Sequence, residues 1–471
     1  LISQENIMPA HLDPAADDYH QRGYDLHRQG RIEEAAAHYR EAVRLQPDFV
    51  AAWSNLGLAG IALGELGEAE RCQREALRLD PDFADAHNNL GMVHYQLGRL
   101  PEADNCFRGA LRLRPDYPNA RTNLAIALHS LGRLDAAEME YREALAAGAE
   151  PVATHSNLSV LLREMGRVNE AEAHARLALD YAPDFASAQV NLALALLSTG
   201  RWAEAWPYYE ARWQVGDLAG ERRNFPQPLW TRLQPTVGQT ILLHAEQGLG
   251  DTLQFCRYAP LVAALGARVI LEVQPSLVRL LSGLEGVDRV LAKGDPLPAF
   301  DWQCPLMSLP LAFGTTPDTV PAADAYLSAE PEDVARWRQR LSGLPGRRVG
   351  LVWAGSSRAW MPHAVAVDRR RSMRLADMAP LGEVAGCSFV SLQLGPPATQ
   401  LRSAPEGLVV HDFAADLYDF ADTAALAANL DLVIAVDTSV AHLAAALGRP
   451  VWLLNRFDPC WRWLLEGDDS V

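Results

Sequence analysis

Residues Asp431–Leu454, DLVIAVDTSVAHLAAALGRPVWLL, read as strand, tight turn, helix and strand. Asp431–Val436 is a short apolar run rich in β-branched residues, the pattern of a buried parallel strand. Asp437-Thr438-Ser439 supplies a helix start, because short polar side chains satisfy the free N–H groups of a first turn. Val440–Leu447 is helical and rich in small residues, Gly448 stops it, and Pro450 follows. Val451–Leu454 returns as the next strand. A strand running into a helix N-terminus is an anion site, because backbone N–H groups and the helix dipole converge there. In an open α/β sheet such a point lies at the carboxyl ends of the strands, where ligands bind. Taken alone, Asp437 could equally be a simple helix cap.

Upstream, the chain alternates strand and helix from Thr240 onward. Strands are expected at 240–245, 268–273, 289–292, 348–354, 388–394 and 408–412, with helices at 251–265, 276–283, 332–341, 373–384 and 423–429. Two consecutive parallel α/β units imply two facing Rossmann-like halves with a cleft between them, 240–330 and 331–471. The first half has its own polar turn, His244-Ala-Glu246-Gln247-Gly248-Leu-Gly250-Asp251-Thr252. Gly248 and Gly250 let the backbone turn tightly and approach a ligand, with Gln247 beside them. Asp251 opens the helix and would either cap it or accept a proton from a hydroxyl held in the cleft. No GxGxxG with an acidic ribose partner and no Walker lysine loop occurs, so a nicotinamide dehydrogenase and a P-loop enzyme are poorly supported.

The first half of the chain is a repeat array. Glycines at 30, 64, 98, 132, 166 and 200 and alanines at 35, 69, 103, 137, 171 and 205 each step by 34 residues. A second alanine ladder runs 42, 76, 110, 144, 178, and prolines mark 47, 81, 115 and 183. Period and pattern are those of the tetratricopeptide repeat, a helix pair with a turn at the glycine. The fold class is therefore an α-solenoid over 16–213 followed by the α/β pair of Rossmann-like halves, with 214–239 as linker or cap. Aromatics Trp206, Tyr208, Tyr209, Trp213, Phe225 and Trp230 are expected to cap the last repeat. Asn55, Asn89, Asn123, Asn157 and Asn191 form a further ladder. A carboxamide offers donor and acceptor, so the ladder is a candidate peptide groove gripping a protein partner's backbone, although asparagine is also common at this position in such repeats.

Composition bounds the function. The 471 residues suggest about three domains, and a net charge of −17 argues against a nucleic-acid partner. Six scattered cysteines without a CxxC pair point to reduced thiols, neither zinc site nor disulfide framework, and a cytoplasmic location. No apolar run is long enough for a membrane span, and the N-terminus lacks the pattern of a secretion signal. The chain begins at Leu1 rather than Met, as an excised piece would.

HAEQGLGDTLQF in the first half and DTSVAHLAAALGRP in the second together resemble glycosyltransferase family 9, the heptosyltransferase-like family of GT-B fold. The whole chain resembles bacterial tetratricopeptide proteins that carry such a domain at the C-terminus. The resemblance implies transfer of a sugar from a nucleotide-diphosphate-sugar substrate with inversion, with no metal and no separate cofactor. It makes Asp251 the acceptor base and gives Asp437, Thr438, Ser439 and His442 to the donor diphosphate, with Gly355 and Ser356 adding backbone contacts. Two departures stand out. Ser356–Val367 is longer and more apolar than the family's short loop before Asp368-Arg369-Arg370-Arg371-Ser372, which leaves open whether Arg358, His363, Arg369 or Arg371 meets phosphate. The chain also stops at Val471, before the strand and closing helix that a donor half normally adds, so a truncated second half is expected. The alternative to a transferase is a non-catalytic repeat scaffold with a degenerate transferase domain, or a nucleotide-sugar sensor.

Overall fold

The structure is a computed structural model that describes residues 12–463 apart from 217, 235, 322–324, 356–367, 369 and 456–459. The chain divides into two compact units between Ala188 and Gln189. The helix pairs are α1 Pro14–Arg28 with α2 Ile32–Leu45, α3 Val50–Leu63 with α4 Leu66–Leu79, and α5 Ala84–Gln96 with α6 Leu100–Leu113. They continue as α7 Pro118–Ser130 with α8 Leu134–Ala146, α9 Pro151–Glu164 with α10 Val168–Tyr181, and α11 Ala186–Ser198 with α12 Trp202–Tyr209.

The ladders have physical causes. Gly30, Gly64, Gly98, Gly132, Gly166 and Gly200 all have φ between 72° and 78°, a left-handed conformation that closes the first helix of each pair and that only glycine adopts freely. Ala35, Ala69, Ala103, Ala137, Ala171 and Ala205 are fully buried where the paired helices press together. On the facing helix, a Cβ at Gly91 would lie 2.6 Å from the Phe107 ring.

The second unit carries two parallel sheets. In the first, β1 Thr240–His244, β2 Arg268–Val273, β3 Arg289–Ala292 and β4 Trp302–Pro305 lie in the order β3-β2-β1-β4. In the second, β5 Arg347–Val352, β6 Cys387–Ser391, β7 Val410–Asp412, β8 Leu432–Val436 and β9 Val451–Leu454 lie in the order β7-β6-β5-β8-β9. Both orders reverse beside the first strand of the sheet, and ligands bind at such reversals. Two helices start there: α13 Leu249–Phe255 follows β1, and α14 Ser439–Ala446 follows β8.

Several expectations are corrected. The helix expected at 373–384 is a run of 3-10 turns, Leu375–Glu383, because Pro380 removes a donor inside it and Gly382 packs 2.8 Å, at its would-be Cβ, from the Gly407 backbone. The helix expected at 251–265 begins earlier and is interrupted by a 3-10 turn at Cys256–Tyr258 just before Pro260. The helix expected at 276–283 is a 3-10 turn and one α turn. Phe225 and Trp230 do not cap the last repeat. Phe225 packs edge-on against Phe300 and near His244, while Trp230 donates its backbone N–H to the Gln303 carbonyl of β4 and its ring packs near Phe313.

Candidate functional site

Asp251 sits in the first turn of α13. Its Oδ2 accepts the Gly248 N–H at 2.9 Å, so it does cap its own helix, and its Oδ1 accepts from Arg462. Gln247 takes a left-handed φ of 58°, a conformation uncommon for a residue with a side chain, and its amide donates to the Tyr209 hydroxyl at 3.4 Å. Gly250 is needed because the two halves touch there. A Cβ at this position would lie 2.8 Å from His442 Cδ2 and 3.5 Å from Ser439 Cα. The candidate base and the start of α14 therefore face each other across one contact.

Around α14, the Ala441 and His442 N–H groups return to the Thr438 carbonyl, while the first helical N–H groups have no intrahelical acceptor. Thr438 makes no capping bond, and its Oγ1 is buried without a partner among the described residues. His442 Nε2 lies 3.7 Å from Asp437 Oδ1, and Trp463 stacks on the His442 ring at 5.2 Å. Burial pushes His442 below its ordinary range against the pull of Asp437, so it enters the site as a neutral hydrogen-bonding ring rather than a cation.

Gly355 differs from expectation. Its N–H already donates to Ser372 Oγ at 3.1 Å, and its would-be Cβ position is filled by Arg371 and Asp368, so it offers no backbone donor. Ser356, Arg358, His363 and Arg369 lie outside the described residues. Of the basic candidates, Arg371 is brought to the site: it pairs with Asp368 at 2.9 Å and reaches the Asp437 carbonyl at 3.5 Å.

A buried network links the end of the repeats to the first half. Arg212 and Glu246 have side chains 2 % exposed and pair at 2.8 and 3.0 Å. Arg212 also donates to Ser308 and Glu210, and the Met307 N–H donates to Glu246 at 3.2 Å. Against the pull of burial, the charges of Glu246 and Glu210 hold Arg212 above its ordinary value. No sequence motif singles out Arg212, which lies where the repeat array ends, or Arg462, near the last residues of the chain.

The asparagine ladder is engaged within the array. Asn55 bonds to His20 at 2.9 Å, Asn89 donates to Ser54 Oγ at 3.1 Å, and Asn123 donates to Asn88 Oδ1 at 2.9 Å, each bond joining successive first helices. Asn55 and Asn89 are buried, so they hold repeats together instead of meeting a peptide. Asn123, Asn157 and Asn191 remain partly exposed. The open surface lies one to two turns further along these helices, where Tyr24, Arg28, Leu58, Ile61, Met92 and Gln96 line a groove of about 620 Å³.

Among the described residues no group of three or more His, Cys, Asp or Glu is placed to hold a metal ion, and no helix is long and apolar enough to cross a membrane.

Fold and site together define a protein of tetratricopeptide-like helical repeats followed by a parallel α/β region. Residues 411–454, from β7 through β9 and including the α14 turn, match glycosyltransferase family 9 (heptosyltransferase). Residues 21–196 match the C-terminal domain of cilia and flagella-associated protein 70. Protein FlbA of Caulobacter vibrioides is 27% identical over 281 residues, 54% of this chain, and the match spans 45% of FlbA. Similar solved structures include a thermophilic TPR protein of Thermus thermophilus, 25% identical over 39% of this chain and 100% of that one, TM-score 0.36. Another is Pseudomonas aeruginosa pilF, 20% identical over 44% of this chain and 93% of that one, TM-score 0.38.

Proposed function

We propose that the protein is a glycosyltransferase that moves a sugar from a nucleotide-diphosphate donor to an acceptor hydroxyl with inversion, and that its repeats bind a protein partner. The observation that carries the reading is the contact at Gly250, which puts the Asp251 turn against the start of α14 where both sheets reverse. The acceptor hydroxyl gives its proton to an Asp251 oxygen as its own oxygen attacks the anomeric carbon. The bond from that carbon to the diphosphate breaks on the opposite face. The leaving diphosphate's charge is met by the first N–H groups of α14, the Thr438 hydroxyl and Arg371. His442, held neutral, supplies a hydrogen bond. In the repeats, Leu58 and Met92 give the groove an apolar floor, and Arg28 and Gln96 give it polar edges.

A second reading, the non-catalytic scaffold, is favoured by the state of Asp251, whose two oxygens are both engaged. Thermal unfolding with UDP, GDP, ADP, dTDP and CMP separates the two. A ligand at 100 times its dissociation constant adds about 2.7 kcal/mol, an upward shift of roughly 5 °C for a unit of this size. A shift with one nucleoside diphosphate supports the transferase, and none with any of them favours the scaffold.

A further inference from the structure

The short stretch Trp461-Arg462-Trp463 touches three parts of the second unit at once. Trp461 sits edge-on in an aromatic cage, its ring centroid 5.6 Å from both Trp202 and Trp206 of the last helix pair. Trp463 lies flat on His442 of the donor half. Between them, Arg462 crosses to Asp251 of the acceptor half. Its side chain is 10% exposed, and Nη1 donates to Cys460 Sγ at 3.0 Å. Its Nε–H is buried and has no partner among the described residues, and neither has the Thr438 hydroxyl at the start of α14.

A buried guanidinium with an unused donor is costly unless a further acceptor arrives. Trp463, next in the chain, lies on the His442 ring, and Gly250, next to Asp251, meets His442 and Ser439, so the acceptor's place is beside the α14 turn. A guanidinium grips a diphosphate through two donors of one edge, and the donor that shares an edge with the unused Nε–H is Nη2, the atom now given to Asp251, so a two-donor grip on the diphosphate displaces the carboxylate. The diphosphate carries the larger charge and is the stronger of the two partners.

We propose that Arg462 is a diphosphate-binding residue that changes partners. In the nucleotide-free protein it masks Asp251. When a nucleoside-diphosphate donor enters, it turns to the diphosphate and leaves Asp251 Oδ1 free for the acceptor hydroxyl. Donor binding must then precede acceptor activation. Trp461 anchors the stretch against Trp202 and Trp206, so α12 holds the pivot on which Arg462 turns. The inference rests on the donor-site reading above and adds to it the cation and the order of events.

The test is calorimetric titration of UDP, GDP, ADP and dTDP into the full chain and into Arg462→Met, Arg462→Lys, Asp251→Asn and the Arg462→Met/Asp251→Asn double variant. Circular dichroism and thermal unfolding check that each is folded. Arg462→Met is expected to bind the preferred nucleotide about tenfold more weakly, with Arg462→Lys between it and the parent. Asp251→Asn removes the competitor and is expected to bind about tenfold more tightly. In the double variant the tightening disappears, because no guanidinium is left to release. Simple removal of a negative charge would instead tighten both backgrounds equally, and that result overturns the exchange. Unchanged affinity in Arg462→Met overturns it as well, as does binding by the parent with no tightening in Asp251→Asn. If no form binds any of the four nucleotides, Asp251→Asn included, the donor-site reading falls and the inference falls with it.

Discussion

Arg212→Met tests how firmly the end of the repeats is built into the candidate site. The substitution keeps the length of the side chain and removes the guanidinium. Glu246, 2 % exposed, would then keep only the Met307 N–H and lose both charge-assisted bonds. Glu210 and Ser308 would lose their shared donor. Breaking a buried pair from one side costs about 3–5 kcal/mol, most of it from the carboxylate left buried without its cation. At roughly 2 °C per kcal/mol for a unit of this size, the unfolding midpoint should fall by about 6–10 °C. Arg212→Met/Glu246→Gln removes both charges and should recover a large part of the loss. The assay is urea unfolding of the single and double variants, followed by tryptophan fluorescence, since the Arg212 guanidinium lies over the Trp213 ring at 4.9 Å. A loss below about 1 kcal/mol in Arg212→Met, or a double variant no better than the single, would refute the reasoning.

Further consequences follow from other residues. Gly250→Ala places a methyl group 2.8 Å from the His442 ring, itself backed by Trp463, and should cost about 1–3 kcal/mol while weakening nucleotide binding. Calorimetry and thermal unfolding check both, and an affinity equal to the parent's would speak against contact between the halves. Asn89→Ala should destabilise the repeats by about 1–3 kcal/mol through loss of the buried bond to Ser54, read as an earlier first transition in urea. His244 is pushed down to about 4 by burial, against the hydrogen bond to Gln303. The unfolded chain takes up a proton near pH 6.5 that the folded protein refuses until about pH 4, so this contribution is complete above the unfolded value and is lost as pH falls. By pH 5 the loss is about 2 kcal/mol, and His244→Gln should flatten the decline between pH 7 and pH 5.

What could be read beforehand follows the range of each interaction. The glycine ladder encoded a local conformation, and each glycine has the positive φ that its spacing implied. The alanine ladders encoded close helix contact, and they are buried. DTSVAH carried its strand, turn and helix within a few residues, and the turn stands where a sheet order reverses. Asn55 and Asn89 recur in register, but they are buried against partners one repeat away, and a ladder says nothing about whether its members bond within the array or to a ligand. Arg212 with Glu246 and Arg462 with Asp251 join residues 34 and 211 positions apart, which no local pattern announces. The 373–384 stretch looked helical by its apolar spacing, yet Pro380 and the close approach at Gly382 overrode that pattern.

The most direct test of the account is incorporation of labelled sugar from the matching nucleotide-diphosphate sugar into acceptors of a bacterial extract, compared between the parent chain and Asp251→Asn. The account predicts incorporation by the parent and a fall of about a hundredfold or more in Asp251→Asn, with nucleotide binding retained. Undiminished incorporation by Asp251→Asn would contradict the assignment of the base and, with it, the chemistry proposed for the cleft.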